Sequence, residues 1–97
     1  MDGFDSSEYS WQFVTASGKL DDGPCELVYA NLLPSGASTG TILYAGKDAG
    51  GKEIIALAGT TVDNKEFSPA VPVYCAEGLY ITIGSAVTGV LVIWHNL

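Results

Sequence analysis

The sequence predicts an all-β protein, a compact antiparallel β-sandwich or small barrel of about seven strands. Short runs rich in Val, Ile, Leu, Thr, Tyr and Trp recur roughly every 10 to 15 residues, each closed by Gly, Pro, Asp or Asn. No stretch sustains the apolar period of an amphipathic helix. The third observation is the end of the chain, where no Asp, Glu, Lys or Arg follows Glu77 and β-branched and aromatic residues dominate, as buried strands require.

Residues 1–9 carry Asp2, Asp5 and Glu8 among Gly and Ser, with only Phe4 and Tyr9 sizeable, and are expected to form an acidic arm ahead of one β domain over 10–97. Trp11, Phe13 and Thr15 alternate with Gln12 and Val14, which marks a first strand over 10–15. Residues 17–24 read as a loop from their Gly, Pro and Asp content. A second strand over 25–33 is stopped by Pro34-Ser-Gly36, and a third over 40–45 by the glycine-rich turn 46–51, whose glycines supply the positive φ of tight hairpins. Residues 52–58 form the fourth: Ile54, Ile55 and Ala58 fit a helical stripe, but the flanking glycines and short length favour a strand. A fifth element is split by a turn at 63–66. Pro69 and Pro72 then bracket an edge or crossing segment, because proline has no N–H for a ladder. Finally, 79–83 and 90–94 are separated by the turn-rich 84–89, and they are expected to pair with each other as an antiparallel hairpin central to the core.

Composition narrows the function. Eleven acidic residues stand against four lysines and no arginine, a net charge of −7. Nucleic-acid binding needs a basic footprint to replace phosphate counterions, so no nucleic-acid partner is expected, nor an anionic membrane. No apolar run is long enough for a membrane-spanning helix without Gly, Ser or Thr interruptions. The first eight residues lack the basic and apolar regions of a signal peptide. Only 15% of residues are charged, against about 25% in ordinary globular chains, and all four lysines fall in or beside expected turns. Strand faces are thereby left almost uncharged. The last strand places Val90, Val92 and Trp94 on one face and Leu91 and Ile93 on the other, so both faces call for cover, and a neighbouring subunit is the favoured source.

No constellation for chemistry emerges. His95 is the only histidine, and no orienting carboxylate motif surrounds it. Asp21-Asp22 lacks the alternating ligands of an EF-hand loop, and one histidine cannot make a zinc site without both cysteines. The glycine-rich pieces at 49–52 and 57–61 lack the GxxxxGK[ST] spacing of a phosphate loop. No enzyme activity, metal or cofactor is expected. Cys25 and Cys75 fall inside expected strands; buried thiols are favoured over a disulfide, which would close a loop of about 50 residues and stabilise by about 4 kcal/mol.

The aromatic residues remain. Trp11, Tyr29, Tyr44, Tyr74, Tyr80 and Trp94 can fill the core and subunit contacts, or stack on sugars; with one Gln and no Arg to frame a sugar, contact is favoured. The candidates for a partner or subunit interface are Phe4, Tyr9, Trp11, Tyr74, Tyr80, Leu91, Ile93 and Trp94.

The runs PAVPVYCAEGLYITIG at 69–84, TGVLVIW at 88–94 and STGTILYAG at 38–46 are similar to segments of small all-β minor virion proteins of tailed bacteriophages. The resemblance implies a structural part located in the virion: a capsid decoration or cement protein, with a tail- or fibre-associated carbohydrate-binding module as the alternative. It implies the major capsid protein or another virion protein as partner, and a homo-oligomer, with a trimer favoured for a threefold lattice site. The arm is expected to become ordered on binding, with Phe4 or Tyr9 inserted in a partner's groove.

Overall fold

In the computed structural model, which describes residues 9–59 and 63–97, every regular element is a β-strand. The strands are β1 (Tyr9–Val14), β2 (Gly18–Asp21), β3 (Cys25–Ala45), β4 (Lys52–Gly59), β5 (Lys65–Phe67), β6 (Val73–Cys75), β7 (Leu79–Thr82) and β8 (Ser85–Asn96). All pairings are antiparallel, and the expected all-β class holds, as a curled sheet that closes half a barrel.

The organising element is β3. Its 21 residues pair with β8, β6 and β5 along the first half and with β7 and β4 along the second. Two sheets result, each containing part of β3: the first runs β1-β8-β3 with β5 and β6 beyond, the second runs β4-β3-β7-β2. A strand that switches sheets at a bend is how orthogonal β packings turn their corners. Here the bend lies between Pro34 and Thr39, where the register with β8 shifts. Pro34-Ser-Gly36, expected to end a strand, bends one instead, because proline only removes one ladder donor and the bulge absorbs it.

Bulges also set which side chains face inward. Cys25 and Leu27 are buried, the register shifts between Leu27 and Tyr29, and the buried set becomes Ala30 and Leu32; past the bend it is Ser38, Thr41 and Leu43. With Val14, Leu57, Cys75, Leu79, Ile81, Val90, Val92 and Trp94, the apolar members of this set form one core. Full burial of each such aliphatic side chain contributes about 1.5–3 kcal/mol.

The expected pairing of 79–83 with 90–94 does not occur. β7 pairs with the second half of β3, Leu79 opposite Ala45, while β8 pairs with the first half, Val90 opposite Leu32. The two act as one long bent strand running antiparallel to β3. Gly84, read as part of a hairpin turn, sits where this strand crosses β3: its N–H donates to Thr41 Oγ1 at 3.1 Å, and a Cβ there would lie 1.8 Å from the Thr39 carbonyl oxygen. Gly78, at φ 132°, makes the matching close approach to Asp21. The glycines serve backbone contact, not chain reversal. The reversal expected at 46–51 does form, with the Gly51 N–H donating to the Asp48 carbonyl and the Gly50 N–H to Asp48 Oδ1. Residues 17–24, read as a loop, include β2, which packs on β7.

Candidate functional site

Alternation along the first sheet turns a second set of side chains away from the core. The registers align them in rows: Tyr9, His95, Glu26 and Tyr74; then Trp11, Ile93 and Tyr29; then Phe13, Leu91, Asn31 and Glu66. Trp11 is 70% exposed and Phe13 42%, beside half-buried Leu91 and Ile93, and Tyr74, 60% exposed, lies two strands from β8 beyond Glu26. Phe13 rests on Gly89, where any Cβ would strike its ring. This is an aromatic outer face on a sheet whose inner face is already the core. The apolar character expected for the outer face of the last strand therefore extends to β1 beside it, while β3 presents Glu26, Tyr29 and Asn31 there.

The charged groups on this face are engaged with neighbours. His95 Nδ1 lies 3.3 Å from Glu26 Oε1, and the Tyr9 ring lies against the imidazole, tilted by 33° at a centroid distance of 5.0 Å. Tyr29 donates its hydroxyl to Glu66; that bond, with burial and the Glu66 charge behind it, pushes the phenol ionisation up from its ordinary range. Paired charges of this kind leave the rings as the face's distinguishing chemistry.

Of the sequence candidates, Tyr9, Trp11, Tyr74, Leu91 and Ile93 come together here. Trp94 points the other way: it is 5% exposed, and its Nε1–H donates to Asp21 Oδ2 at 3.1 Å, joining β8 to β2. Tyr80 lies in the second sheet beside Tyr44, ring centroids 6.4 Å apart. Phe4 falls outside the described residues. Phe13 and Tyr29 belong to the face although they were not among the candidates. For Phe13 the signal was its two-residue spacing from Trp11; for Tyr29 there was none, since the bulge at 27–29 sets its direction.

Two concavities flank the sheets. A polar cleft of about 370 Å³ is lined by Ser10, Lys19, Asp21, Asp22, Trp94 and Asn96. Its groups largely serve one another: Asn96 donates to Ser10 Oγ, Asp21 holds both the Trp94 indole and the Gly23 N–H, and Lys19 is 3.7 Å from Asp22. The buried, engaged indole offers no free ring for a sugar. A more apolar notch of about 320 Å³ between β4 and β6 is lined by Ile54, Phe67, Val73 and Tyr74. Among the described residues no cluster of His, Cys, Asp or Glu could hold a metal ion.

Comparison with known proteins found no matching family model, no matching curated protein and no matching solved structure.

Proposed function

We propose that the chain is a non-enzymatic structural protein of a virion, a decoration or cement part that self-associates and docks on a capsid lattice through the outer face of its first sheet. The observation that carries this reading is the exposed aromatic outer face, with Trp11 and Phe13 beside Leu91 and Ile93 at one edge and Tyr74 at the other. Aromatic anchors amid few free charges fit a protein partner better than a nucleic acid or a sugar. Binding would come from apolar burial at about 25 cal/mol per Å², multiplied across symmetric copies on the lattice. A trimer suits a threefold lattice site, with the major capsid protein or another virion protein as the partner. The bacteriophage resemblance of the segments at 38–46, 69–84 and 88–94 supports the same reading.

The test is binding to purified expanded capsids. The protein should bind and raise the capsid melting temperature, and Tyr74→Asp, at an exposed edge position, should weaken binding at least tenfold with the fold intact. Binding to a glycan array with no capsid affinity would replace this reading with the carbohydrate-binding one.

A further inference from the structure

Among the described residues β1 stands at the free end of the first sheet, and it differs from the other sheet edges. β2 carries Lys19 and Asp21, β4 carries Lys52 and Glu53, and β5 carries Lys65 and Glu66; β6 is only three residues long. Charges and short length are the usual devices that stop an edge from pairing with another chain. β1, Tyr-Ser-Trp-Gln-Phe-Val, has six residues, no charge and no proline.

Its hydrogen-bonding phase follows from the ladder. The Leu97 N–H donates to the Pro24 carbonyl, one step beyond the paired Cys25 and Asn96, so the backbone of Asn96 faces away from β3 and toward β1. Alternation along β8 gives Trp94, Val92 and Val90 the same direction, and their partners Ser10, Gln12 and Val14 answer them. The N–H and C=O groups of Trp11 and Phe13 therefore point to the open side, on the same residues whose rings are exposed.

We propose that β1 is a self-pairing edge: a second copy adds its own β1 antiparallel about a twofold axis at Gln12, Trp11 of each copy facing Phe13 of the other. In this register the outward backbone groups of Trp11 and Phe13 bond each other across the axis, and both pairs put two rings side by side on the outer face. The occupant is a second copy because the strand is its own complement. Two copies of a chain with net charge −7 can meet with least repulsion along an uncharged strand, whereas a basic partner has nothing there to select. The product is one continuous sheet whose two aromatic outer faces lie on the same side. At about 150–250 Å² for each fully buried aromatic, these two partly covered rings bring less than roughly 400 Å² per copy, short of the roughly 800 Å² per partner of a stable complex, so the dimer is weak and concentration-dependent. The inference rests on the self-association in the proposed function, names its surface and makes the contact twofold, a dimer where a threefold site favours a trimer.

Sedimentation of the full chain between about 1 µM and 1 mM should show the mass rising from 10.1 kDa toward twice that value. Gln12→Cys, whose two copies would stand about 4.5 Å apart at Cα, should form an intermolecular disulfide under mild copper–phenanthroline oxidation. Ser10→Cys, whose copies would be about 13 Å apart, should not. Trp11→Pro, which removes an outward donor and a ring, should keep the protein monomeric with its circular dichroism unchanged. A chain that stays monomeric throughout, or a trimer or dimer in which Gln12→Cys does not cross-link, overturns the self-pairing edge. Capsid binding by such a protein would leave the docking reading standing, while loss of capsid binding alongside intact cross-linking would remove the docking reading alone.

Discussion

Cys25 and Cys75 stand opposite each other on β3 and β6 as free thiols with no exposed surface. Burial, with Cys75 and Asp21 adding to it, pushes the Cys25 thiol from 9.0 up to about 12; burial also pushes Cys75 up. Thiolates are the reactive form, so iodoacetamide at about pH 8 should label neither residue in the native protein and both in urea. Unlabelled cysteines after unfolding without reductant would reveal a disulfide instead. The same shifts fix a pH dependence. Below 9.0 folded and unfolded chains both keep Cys25 protonated, and above it only the unfolded chain ionises until about 12. The contribution to stability is thus complete below about pH 9 and is lost toward pH 12, at about 1.4 kcal/mol per pH unit for a fully responding thiol. Urea titrations of Cys25→Ala beside the parent should show a shallower alkaline decline. Backbone strain gives a second residue-scale prediction. Ala86 has φ 57°, a conformation that costs an L-residue about 1 kcal/mol. Ala86→Gly should be neutral or stabilise by about 0.5 kcal/mol once glycine's unfolded-state entropy is subtracted. Gly84→Ala, set against the Thr39 carbonyl, should cost about 3 kcal/mol. Thermal melts of both variants check the pair of signs.

At the scale of elements, β3 and β8 form the longest ladder, and β5 and β6 are three-residue strands whose only strand partner among the described residues is β3. Opening β5 or β6 breaks few hydrogen bonds. Amide exchange should therefore be slowest for Tyr29, Asn31, Leu91 and Ile93, whose backbone groups face one another across β3 and β8, and faster by orders of magnitude for Lys65, Glu66 and Tyr74. Equal protection would mean that the sheet opens only as a whole. This hierarchy also explains what could be read from the sequence. Strand positions were legible because alternation and turn residues are local: β1, β4 and the 46–51 turn stand within a residue or so of expectation. Pairing was not legible where it depends on distant chain. Pro34 and Gly36 look like a stop in isolation, and only β8 alongside converts them into a bend. The 84–89 segment has hairpin chemistry, yet β7 and β8 each find longer partners in β3 than in one another. The outer face was half legible: the period through Trp11 and Ile93 shows it, whereas Trp94 differs from Ile93 only by parity. Parity assigns a face only once some other strand shows which side is covered.

For the whole molecule, the acidic charge and the aromatic face act against each other. A net charge of −7 keeps copies apart, with a pI near 4.2 leaving the protein strongly anionic at neutral pH, while the self-pairing proposed for β1 would draw them together. Salt separates the two effects. At about 10 mM ionic strength the Debye length is about 30 Å, comparable with the protein's own dimensions of 37 × 34 × 21 Å, so every acidic group on one copy is felt by the next. At about 0.5 M the repulsion is screened to within a few ångströms, whereas strand pairing and ring burial are scarcely touched. Raising salt over this range should therefore tighten self-association severalfold, and lowering the pH toward the isoelectric point should do the same as carboxylates discharge. The direction is diagnostic. A contact held by ion pairs would weaken with salt, and so would an electrostatically steered encounter. Sedimentation velocity at the two ionic strengths reads the difference directly, and dissociation at high salt would show that charged groups, not the uncharged β1 edge, hold the copies together.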